Sequence, residues 1–371
     1  MKAKYLLIGS AVALYVLVVL PTRLRAAPPL YTVKDLGTLG RTPSEGFGIN
    51  SSGQVVGYSR TAPNNDHAVF WNGPSKTDIG TLGGGDSYAS AINASGNVVG
   101  WSFLSGNTTT HAFKWTGAGM TDLGTPGFGS RAYGINDSGL VVGRSETAPG
   151  NFSYHASLWT GTTMTDLGTL GGSQSEAYGI NASGQTVGWA YRTGVSDAHA
   201  VRWTGTTPMD LGTLGGDQSY GYGINNSGQV VGWSNSAGSS FHRAVLWNGT
   251  VPTDLGTLGG NRSEAYGINA SGQVTGWSYT ATNIFGHAFL FTDGAMYDLN
   301  SLLVPGSGVT NITEDDSITQ GGNHINDFGQ IVATGFIGGQ AHALLLTPTP
   351  EPASVVLLLG GAALLGLRRR R

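Results

Sequence analysis

The chain has 371 residues, of which 61 are glycine and none is cysteine, and its formal net charge is −3 at pH 7. Between its two ends, residues 28–347 hold 11 basic and 21 acidic side chains, so this segment is about ten units negative. That acidity excludes a nucleic-acid-binding function, which requires basic surface. The absence of cysteine excludes disulfides as a source of stability. Valine, threonine and aromatic residues alternate with turn residues and predict an all-β protein with a large core.

The N-terminus has the features of a secretory signal peptide. Lys2 and Lys4 precede an apolar run over residues 5–20, and two small residues end the stretch at Ala27. A basic start, an apolar middle and small residues are typical of a segment that is cleaved on export. We therefore predict a signal helix over residues 1–27. Arginines close to the cut weaken the cleavage site, so an uncleaved membrane anchor is the alternative.

Residues 28–347 repeat one motif seven times. Its Asp-Leu-Gly (once Asp-Ile-Gly, once Asp-Leu-Asn) recurs in steps of 43 and then 44 residues, at Asp35, Asp78, Asp122, Asp166, Asp210, Asp254 and Asp298. A period of about 44 residues is typical of the four-stranded blades of β-propellers. In the seventh copy an insertion lengthens the repeat.

Each repeat divides into four short predicted strands. The first strand runs into Asp-Leu-Gly and the second carries Gly-Ile-Asn. The third carries Gln-Val-Val-Gly-Trp and the fourth carries His-Ala-x-x-Trp. The Asn-x-Ser-Gly turn between the second and third ends in a glycine, which suits a left-handed hairpin position. In the fourth strand Val69 and Trp71 lie on one face and Phe70 on the other, so both faces are apolar and need covering layers. We predict a seven-bladed β-propeller, with a β-solenoid as the alternative.

The repeat resembles the HAF family of extracellular repeats. The resemblance rests on "DLGTLGG", on the Gly-Ile-Asn-Ala-Ser-Gly turn and on "HAFLF", and it extends over residues 31–346. Two copies depart from it: repeat three reads "DLGTPGF", and repeat five has Arg243 and Ala244 in place of His-Ala. The resemblance implies no enzymatic activity.

A serine, an aspartate, a histidine and a tryptophan recur in nearly every repeat. Serine, histidine and aspartate together suggest a nucleophilic triad, but an active site is needed only once, whereas buried polar groups need partners in every repeat. We therefore interpret the set as a structural hydrogen-bond network, similar to the Ser-Asp-His-Trp networks of WD40 propellers, and predict no enzyme. Its members are Asp78, Asp122, Asp166, Asp210, Asp254, His67, His111, His155, His199 and His287.

We predict neither a metal site nor a cofactor. One histidine per repeat does not provide the three or four close ligands that zinc requires. In the insertion of repeat seven, Glu314, Asp315 and Asp316 are consecutive, and they lack the alternating spacing of a calcium loop.

The tryptophans occupy two positions of the repeat. One set ends the His-Ala strand and is predicted to be core. The other set ends the Val-Gly strand beside a variable loop and is replaced by Arg144 in repeat three, so we predict that it is partly exposed. Exposed aromatic side chains mark binding surfaces, and we hypothesise that this set stacks on sugar rings: Tyr58, Trp101, Trp189, Trp233 and Trp277.

The C-terminal segment 348–371 resembles a PEP-CTERM sorting signal. Three parts occur in order: a Pro-Glu-Pro triplet, an apolar run over residues 353–367 and an arginine cluster. The run is about 22 Å long as a helix, short of a ~30 Å hydrocarbon core. The residues that carry the resemblance are Pro350, Glu351, Pro352, Arg368, Arg369, Arg370 and Arg371.

This resemblance implies an exosortase-type protease as a partner, a transient transmembrane helix in the inner membrane and a role near exopolysaccharide. The predicted function is therefore that of an exported, non-enzymatic binding or structural module at the cell surface, in a biofilm matrix. Two alternatives are a self-associating coat protein that binds no glycan, and a secreted hydrolase or lyase with a site in the repeat-seven insertion.

Overall fold

The protein folds into seven four-stranded antiparallel sheets. The computed structural model describes residues 27–61, 65–148, 151–195, 197–282, 286–313 and 324–350. The first strands of the first six blades contact one another in succession around a central axis, and the seventh blade contacts the first and the sixth, which closes the ring. The chain is therefore a seven-bladed β-propeller, which confirms the predicted fold class and excludes the solenoid.

The first three blades contain strands β2 to β13. Blade 1 consists of β2 (Arg41–Ile49), β3 (Val55–Arg60), β4 (Asp66–Asn72) and β5 (Ser75–Gly80). Blade 2 consists of β6 (Gly83–Ile92), β7 (Val98–Leu104), β8 (Thr110–Trp115) and β9 (Met120–Asp122). Blade 3 consists of β10 (Ser130–Ile135), β11 (Val141–Ala148), β12 (Asn151–Thr160) and β13 (Thr163–Asp166).

The next three blades contain strands β14 to β25. Blade 4 consists of β14 (Gly171–Ile180), β15 (Thr186–Arg192), β16 (Ala198–Thr204) and β17 (Thr207–Asp210). Blade 5 consists of β18 (Gly215–Ile224), β19 (Val230–Ser236), β20 (His242–Asn248) and β21 (Val251–Asp254). Blade 6 consists of β22 (Gly259–Ile268), β23 (Val274–Thr280), β24 (Gly286–Thr292) and β25 (Ala295–Asp298), and a 3-10 helix, Leu299–Leu302, follows it.

Blade 7 is built from both ends of the propeller. It consists of β26 (Thr310–Thr313), β27 (Ile331–Ile337), β28 (Gln340–Pro348) and, as its outermost strand, β1 (Tyr31–Asp35). β1 pairs with β28, and Thr349 N–H donates to the Leu30 carbonyl at 2.7 Å just beyond the pair. All the sheets, the closing pair and the core clusters thus lie within residues 30–349, and this segment contains the contacts that stabilise the propeller.

The predicted order of strands within a repeat needs a correction. The Asp-Leu-Gly strand was expected to be the first strand of its own blade, and it is instead the outermost strand of the preceding blade, where it pairs with the His-Ala strand. Sequence repeat and blade are therefore out of phase by one strand. The physical reason is closure: a ring whose last blade borrows its outer strand from the N-terminus has no free end.

Apolar layers between neighbouring blades form the core. Trp71, Trp159, Trp203 and Trp247, which end the His-Ala strands, are fully buried, while Trp115 is half-buried against Phe70. Within each blade, the Val-Gly glycine of the second strand allows the first strand to approach closely, because a Cβ at Gly188 would lie 1.8 Å from the Glu176 carbonyl oxygen of the paired strand. The equivalent glycines of blades 1, 2, 3, 5 and 6 lie equally close to a carbonyl oxygen of the paired strand.

A closed ring of asparagines joins the seven blades at one end of the axis. The asparagine of the Gly-Ile-Asn motif, which reads Ala-Ile-Asn in blade 2 and His-Ile-Asn in blade 7, donates through Nδ2 to the backbone carbonyl oxygen of the equivalent asparagine in the next blade, at 3.0–3.2 Å. All seven side chains are buried, and each Oδ1 accepts backbone N–H groups of its own turn. The turn glycines have φ of 72–81°, as the hairpin pattern predicts. The members are Asn50, Asn93, Asn136, Asn181, Asn225, Asn269 and Asn326.

The predicted end segments lie mostly outside the described residues. This applies to the signal peptide up to residue 26, and to the sorting tail from Glu351 onward. β28 reaches Pro348, one residue past the predicted boundary at 347. Within the described part of the chain, no helix is long and apolar enough to cross a membrane.

Candidate functional site

The described structure contains six hydrogen-bonded histidine–aspartate pairs, each between the third and the outermost strand of a blade, and all five predicted histidines belong to them. Nδ1 of the histidine lies within 3.1 Å of the carboxylate, in pairs such as His67–Asp78 and His342–Asp35. The other four pairs are His111–Asp122, His155–Asp166, His199–Asp210 and His287–Asp298.

Blade 5 departs from this pattern, since Asp254 accepts from Arg243 Nε at 3.1 Å. The pairs were expected to be buried, but five of the six paired aspartate side chains are 38–46% exposed, because the outermost strand faces solvent.

The carboxylates of these pairs also shape the turns that follow. Asp210 Oδ1 accepts the Gly212 N–H at 2.8 Å in addition to the hydrogen bond from His199. Desolvation raises the pKa of Asp210, but the hydrogen bonds from His199 and Gly212 outweigh it and leave the pKa below its ordinary 3.8. The pairs therefore stabilise blade edges.

The recurring serine does not activate any histidine. Ser87 Oγ accepts the Ala68 N–H of the preceding blade at 2.9 Å and donates to the Gly80 carbonyl. The equivalent serines in blades 3 to 6 make the same two bonds. The indole Nε1 of the buried core tryptophans, Trp71 for example, has no hydrogen-bond partner among the described residues. The histidine–aspartate pairs are thus separate from the serine contacts and from the tryptophans, so the four residue types do not form one network. No catalytic triad occurs among residues 27–350 as far as they are described.

Four of the five aromatic residues that were expected to be partly exposed are buried. Tyr58, Trp101, Trp189 and Trp233 are 4–5% exposed, whereas Trp277 is half-buried. For the four buried residues the expectation was wrong, because aromatic side chains within the protein cover these rings. The indole of Trp233, for instance, stacks on Tyr220 at 4.6 Å and on His242 at 3.7 Å between ring centroids.

A pocket of about 250 Å³ lies on the axis beside the asparagine ring. Its wall consists of the isoleucines of Gly-Ile-Asn. Tyr133, Tyr178, Tyr222 and Tyr266 belong to the same inner strands, and neighbouring rings lie 5.2–5.4 Å apart. The asparagine Nδ2 groups already donate to backbone carbonyls of the neighbouring blades, and the pocket is smaller than the ~300–1,000 Å³ typical of ligand sites. It is a poor candidate for a binding site.

A second space, of about 560 Å³, opens where blade 2 meets blade 3. We call it the blade-3 groove. Its volume falls within the range of ligand sites, and it combines aromatic, cationic and anionic side chains. It is lined by Phe103 and residues 108–110 of blade 2 and by Phe128, Gly129, Ser130, Arg131, Arg144, Glu146 and Tyr154 of blade 3.

The groove exists because the first strand of blade 3 is short. β10 has six residues, whereas the first strands of blades 1, 2, 4, 5 and 6 have nine or ten. In blade 2 the backbone N–H of Leu82 donates to Ser102 Oγ, but the matching residue in blade 3 is Pro126, which has no N–H to donate. Thr125 Oγ1 bonds to Ser145 Oγ instead, at 2.8 Å. The "DLGTPGF" departure noted in the sequence thus uncovers this surface.

Two arginines lie directly opposite each other at the groove. Arg131 on β10 pairs in register with Arg144 on β11. In blades 1, 2, 4, 5 and 6 the same two positions hold glutamate or tyrosine opposite tyrosine or tryptophan. Like charges that face each other across two strands destabilise a sheet. This arginine pair, which departs from the repeat, is therefore unfavourable for the stability of blade 3.

Only one of the two arginines has an acidic partner in the described structure. Arg144 forms an ion pair with the buried Glu176 of blade 4 and lies 4.4 Å from the ring centroid of Tyr154. Burial lowers the pKa of Arg144, but the adjacent Tyr133 and Glu176 outweigh this and raise it above its ordinary value. Arg131 lies 4.1 Å from the ring centroid of Trp101 and has no carboxylate within ion-pair distance among the described residues.

The groove also has an apolar and an acidic side. Phe128 is 53% exposed. Its backbone N–H donates to Glu146 Oε2 at 2.9 Å, which fixes the carboxylate beside the ring. No cluster of three or more histidine, aspartate or glutamate side chains suited to a metal ion occurs in the described part of the chain. The acidic triplet Glu314, Asp315 and Asp316 lies outside it.

Comparisons with known proteins yield distant propellers. Neither a protein-family model nor a curated protein matches the chain. The structure is similar to a putative TolB from Agrobacterium tumefaciens, at 12% identity and a TM-score of 0.43, over 62% of this chain and 89% of that one.

Two further solved structures match at 11% identity and a TM-score of 0.39, over 70% of this chain. The β-propeller domain of the Trilobed protease from Pyrococcus furiosus is covered to 98%, and the Aleuria aurantia lectin in complex with Fucalpha1-6GlcNAc to 96%.

Proposed function

We propose that the protein is an exported, non-enzymatic propeller that binds polysaccharide in the blade-3 groove. One observation carries the proposal. At the repeat that loses part of its first strand, an exposed phenylalanine, a guanidinium with no ion-pair partner among the described residues and a fixed carboxylate line a space large enough for a sugar unit. Sugars offer apolar C–H faces together with hydroxyl groups, and ligand sites combine apolar walls with a few placed polar groups.

The proposed location and partners follow from the two ends of the chain. The signal-like start and the resemblance to a PEP-CTERM tail support export, transient anchoring in the inner membrane and processing by an exosortase-type protease. Such proteins work near exopolysaccharide, which makes a polysaccharide the ligand of choice for the groove. A non-enzymatic role is supported by the serine contacts, since the repeated serines bond to backbone groups and not to histidine.

The proposal is tested with the propeller segment 27–350, which contains the contacts of the fold. Wild type, Phe128→Ala and Phe328→Ala are run through native gels containing dextran, hyaluronan or polygalacturonate, and retardation is measured against polymer concentration. Phe328 is a matched control because it is also an exposed phenylalanine, at 68%, but lies in the turn of blade 7 away from the groove.

We expect saturable retardation of the wild type by at least one polymer. If a sugar covers about half of the exposed Phe128 ring, ~50 Å² leaves water, which stabilises the complex by ~1.3 kcal/mol, a factor of ~10. Phe128→Ala should lose this factor and Phe328→Ala should not. No retardation by any polymer, together with self-association on sizing, would reject polysaccharide binding in favour of a coat protein.

A further inference from the structure

We propose that the blade-3 groove selects an acidic saccharide, with the carboxylate of a uronate unit bound to the guanidinium of Arg131. The inference rests on the proposed function and names its ligand class. It depends on three features of the groove: an arginine pair that the other blades lack, the incomplete neutralisation of that pair, and a carboxylate that lines the same groove.

The arginine pair is the first feature. Arg131 and Arg144 face each other across β10 and β11, and such a like-charge pair destabilises the sheet that contains it. Glutamate occupies the Arg131 position in blades 1, 4 and 6, so an ordinary blade accommodates a negative charge there. A bound anion between the two strands of blade 3 would offset the repulsion.

The second feature is the difference between the two arginines. Arg144 is neutralised by Glu176 and is held over the Tyr154 ring. Arg131 is covered on one face by the Trp101 indole, and its side chain is half-buried, which fixes the plane of the guanidinium. A planar guanidinium whose donors point out of its edge fits a carboxylate through two parallel hydrogen bonds.

The third feature selects the kind of anion. Glu146 lies in the same groove, and its carboxylate is held beside Phe128. A phosphate monoester carries nearly two negative charges at neutral pH and would be repelled by Glu146 more strongly than a singly charged carboxylate. A uronate presents one carboxylate to Arg131, hydroxyl donors to Glu146 and a C–H face to Phe128. A single sugar unit thus matches all three side chains.

The test compares acidic oligosaccharides with their neutral counterparts. Trigalacturonate, a mannuronate trimer and a hyaluronan hexasaccharide are each titrated calorimetrically into the propeller segment, alongside the same oligosaccharide after reduction of its carboxyl groups. We expect at least one acidic form to bind and carboxyl reduction to weaken it roughly tenfold to a hundredfold, as for the loss of hydrogen bonds to a charged group.

Three variants assign the effect to Arg131. Arg131→Gln should bind the acidic and the reduced form equally weakly. Arg131→Lys keeps the charge without the planar fork and should fall between Arg131→Gln and the wild type. Arg262→Gln is the matched control, since Arg262 also lies over an aromatic ring, that of Phe241, but outside the groove. Removing Arg131 relieves like-charge repulsion but also loses its stacking on Trp101, so the two effects on stability oppose each other. Thermal melting of each variant, with binding measured well below the midpoint, excludes unfolding as the cause of lost binding.

The outcomes separate the two proposals. Equal affinity for the acidic and reduced forms would overturn the uronate assignment and leave polysaccharide binding in the groove intact. A preference for the acidic form that survives in Arg131→Gln would overturn the role of Arg131. Absence of binding by either form, with no retardation in polymer gels, would overturn both.

Discussion

The asparagine ring makes a quantitative prediction about stability. Asn181 is 3% exposed, and its side chain participates in four hydrogen bonds. One of them comes from the exposed Ser183 hydroxyl, at 2.8 Å, and water can replace it in a variant. The other three have no such substitute. Nδ2 donates to the Asn225 carbonyl at 3.2 Å and to Gln185 Oε1 at 2.9 Å, and Oδ1 accepts the Gln185 N–H at 2.9 Å. The Asn225 carbonyl keeps a second bond, from the Gly228 N–H, so it is not left without a partner in a variant.

Replacing Asn181 with alanine should therefore cost about three net hydrogen bonds. At ~0.5–1.5 kcal/mol each, the free energy of unfolding should fall by roughly 2–4 kcal/mol. Asn226→Ala is the matched control, because Asn226 is exposed and accepts a single bond, from the Ala182 N–H at 3.0 Å. Its expected loss is about 1 kcal/mol or less.

Urea unfolding followed by tryptophan fluorescence measures both variants. The midpoint should fall for Asn181→Ala at an unchanged dependence on urea, which marks a change in stability and not in the unfolded state. Asn181→Asp keeps the Oδ1 acceptor but replaces the donor to blade 5 with a buried charge, and should lose at least as much. A midpoint for Asn181→Ala that is no lower than that of Asn226→Ala would refute the view that the ring joins the blades.

Three further predictions concern the blades themselves. Gly188→Ala places a Cβ 1.8 Å from a carbonyl oxygen and should lower the free energy of unfolding by more than ~3 kcal/mol or prevent folding. The control Gly205→Ala, at φ +59° with no atom within 4 Å of the added Cβ, should lower it by only ~1–2 kcal/mol. Soluble yield and thermal melting of the two variants are compared. Trp189→Ala should cost roughly 3–5 kcal/mol because the indole is buried, and should leave the affinity of the folded fraction for polysaccharide unchanged. The folded pKa of Asp210 lies below its unfolded value, so its ionised form stabilises the fold at neutral pH; this contribution should be lost as the pH falls from about 4 through the folded pKa, and Asp210→Asn should melt with a weaker acid dependence.

The sequence predicted the architecture because its period and its turns are local signals. A 44-residue period with one left-handed glycine per hairpin leaves few alternatives to a propeller blade. The phase of the repeat was not predictable in the same way. A cyclic array has the same period wherever counting begins, and only the pairing of Tyr31–Asp35 with Gln340–Pro348 defines where a blade starts.

Contacts between side chains of different strands and of different blades were beyond the reach of the repeat pattern. Trp233, on the second strand of blade 5, is next to a variable loop, which suggested exposure, but Tyr220 and His242 on the two neighbouring strands of the same blade cover the ring. Nor does periodicity reveal that Asn181 reaches the carbonyl of Asn225 in the next blade. The first contact depends on the side chains that strand pairing brings together, and the second depends on how far one blade is rotated from its neighbour.

The candidate site was visible in part. "DLGTPGF" and Arg144 both stand out as departures in repeat three, but neither was linked to the other or to Arg131. The link is geometric. The shortened β10 begins at Ser130, directly before the cross-strand pair of Arg131 and Arg144, so the change to "DLGTPGF" in the preceding loop opens the groove beside both arginines. A departure from a repeat is informative when its neighbours in space are known.

Hydrogen–deuterium exchange of the propeller segment with a saturating acidic oligosaccharide tests the central claim most directly. We predict slowed exchange in residues 103–110 and 128–131 and in β11 beside Arg144 and Glu146, with the turns around the axial pocket unchanged. Slowed exchange at the Asn-x-Ser-Gly turns of several blades, or uniform exchange throughout, would contradict a ligand site in the blade-3 groove.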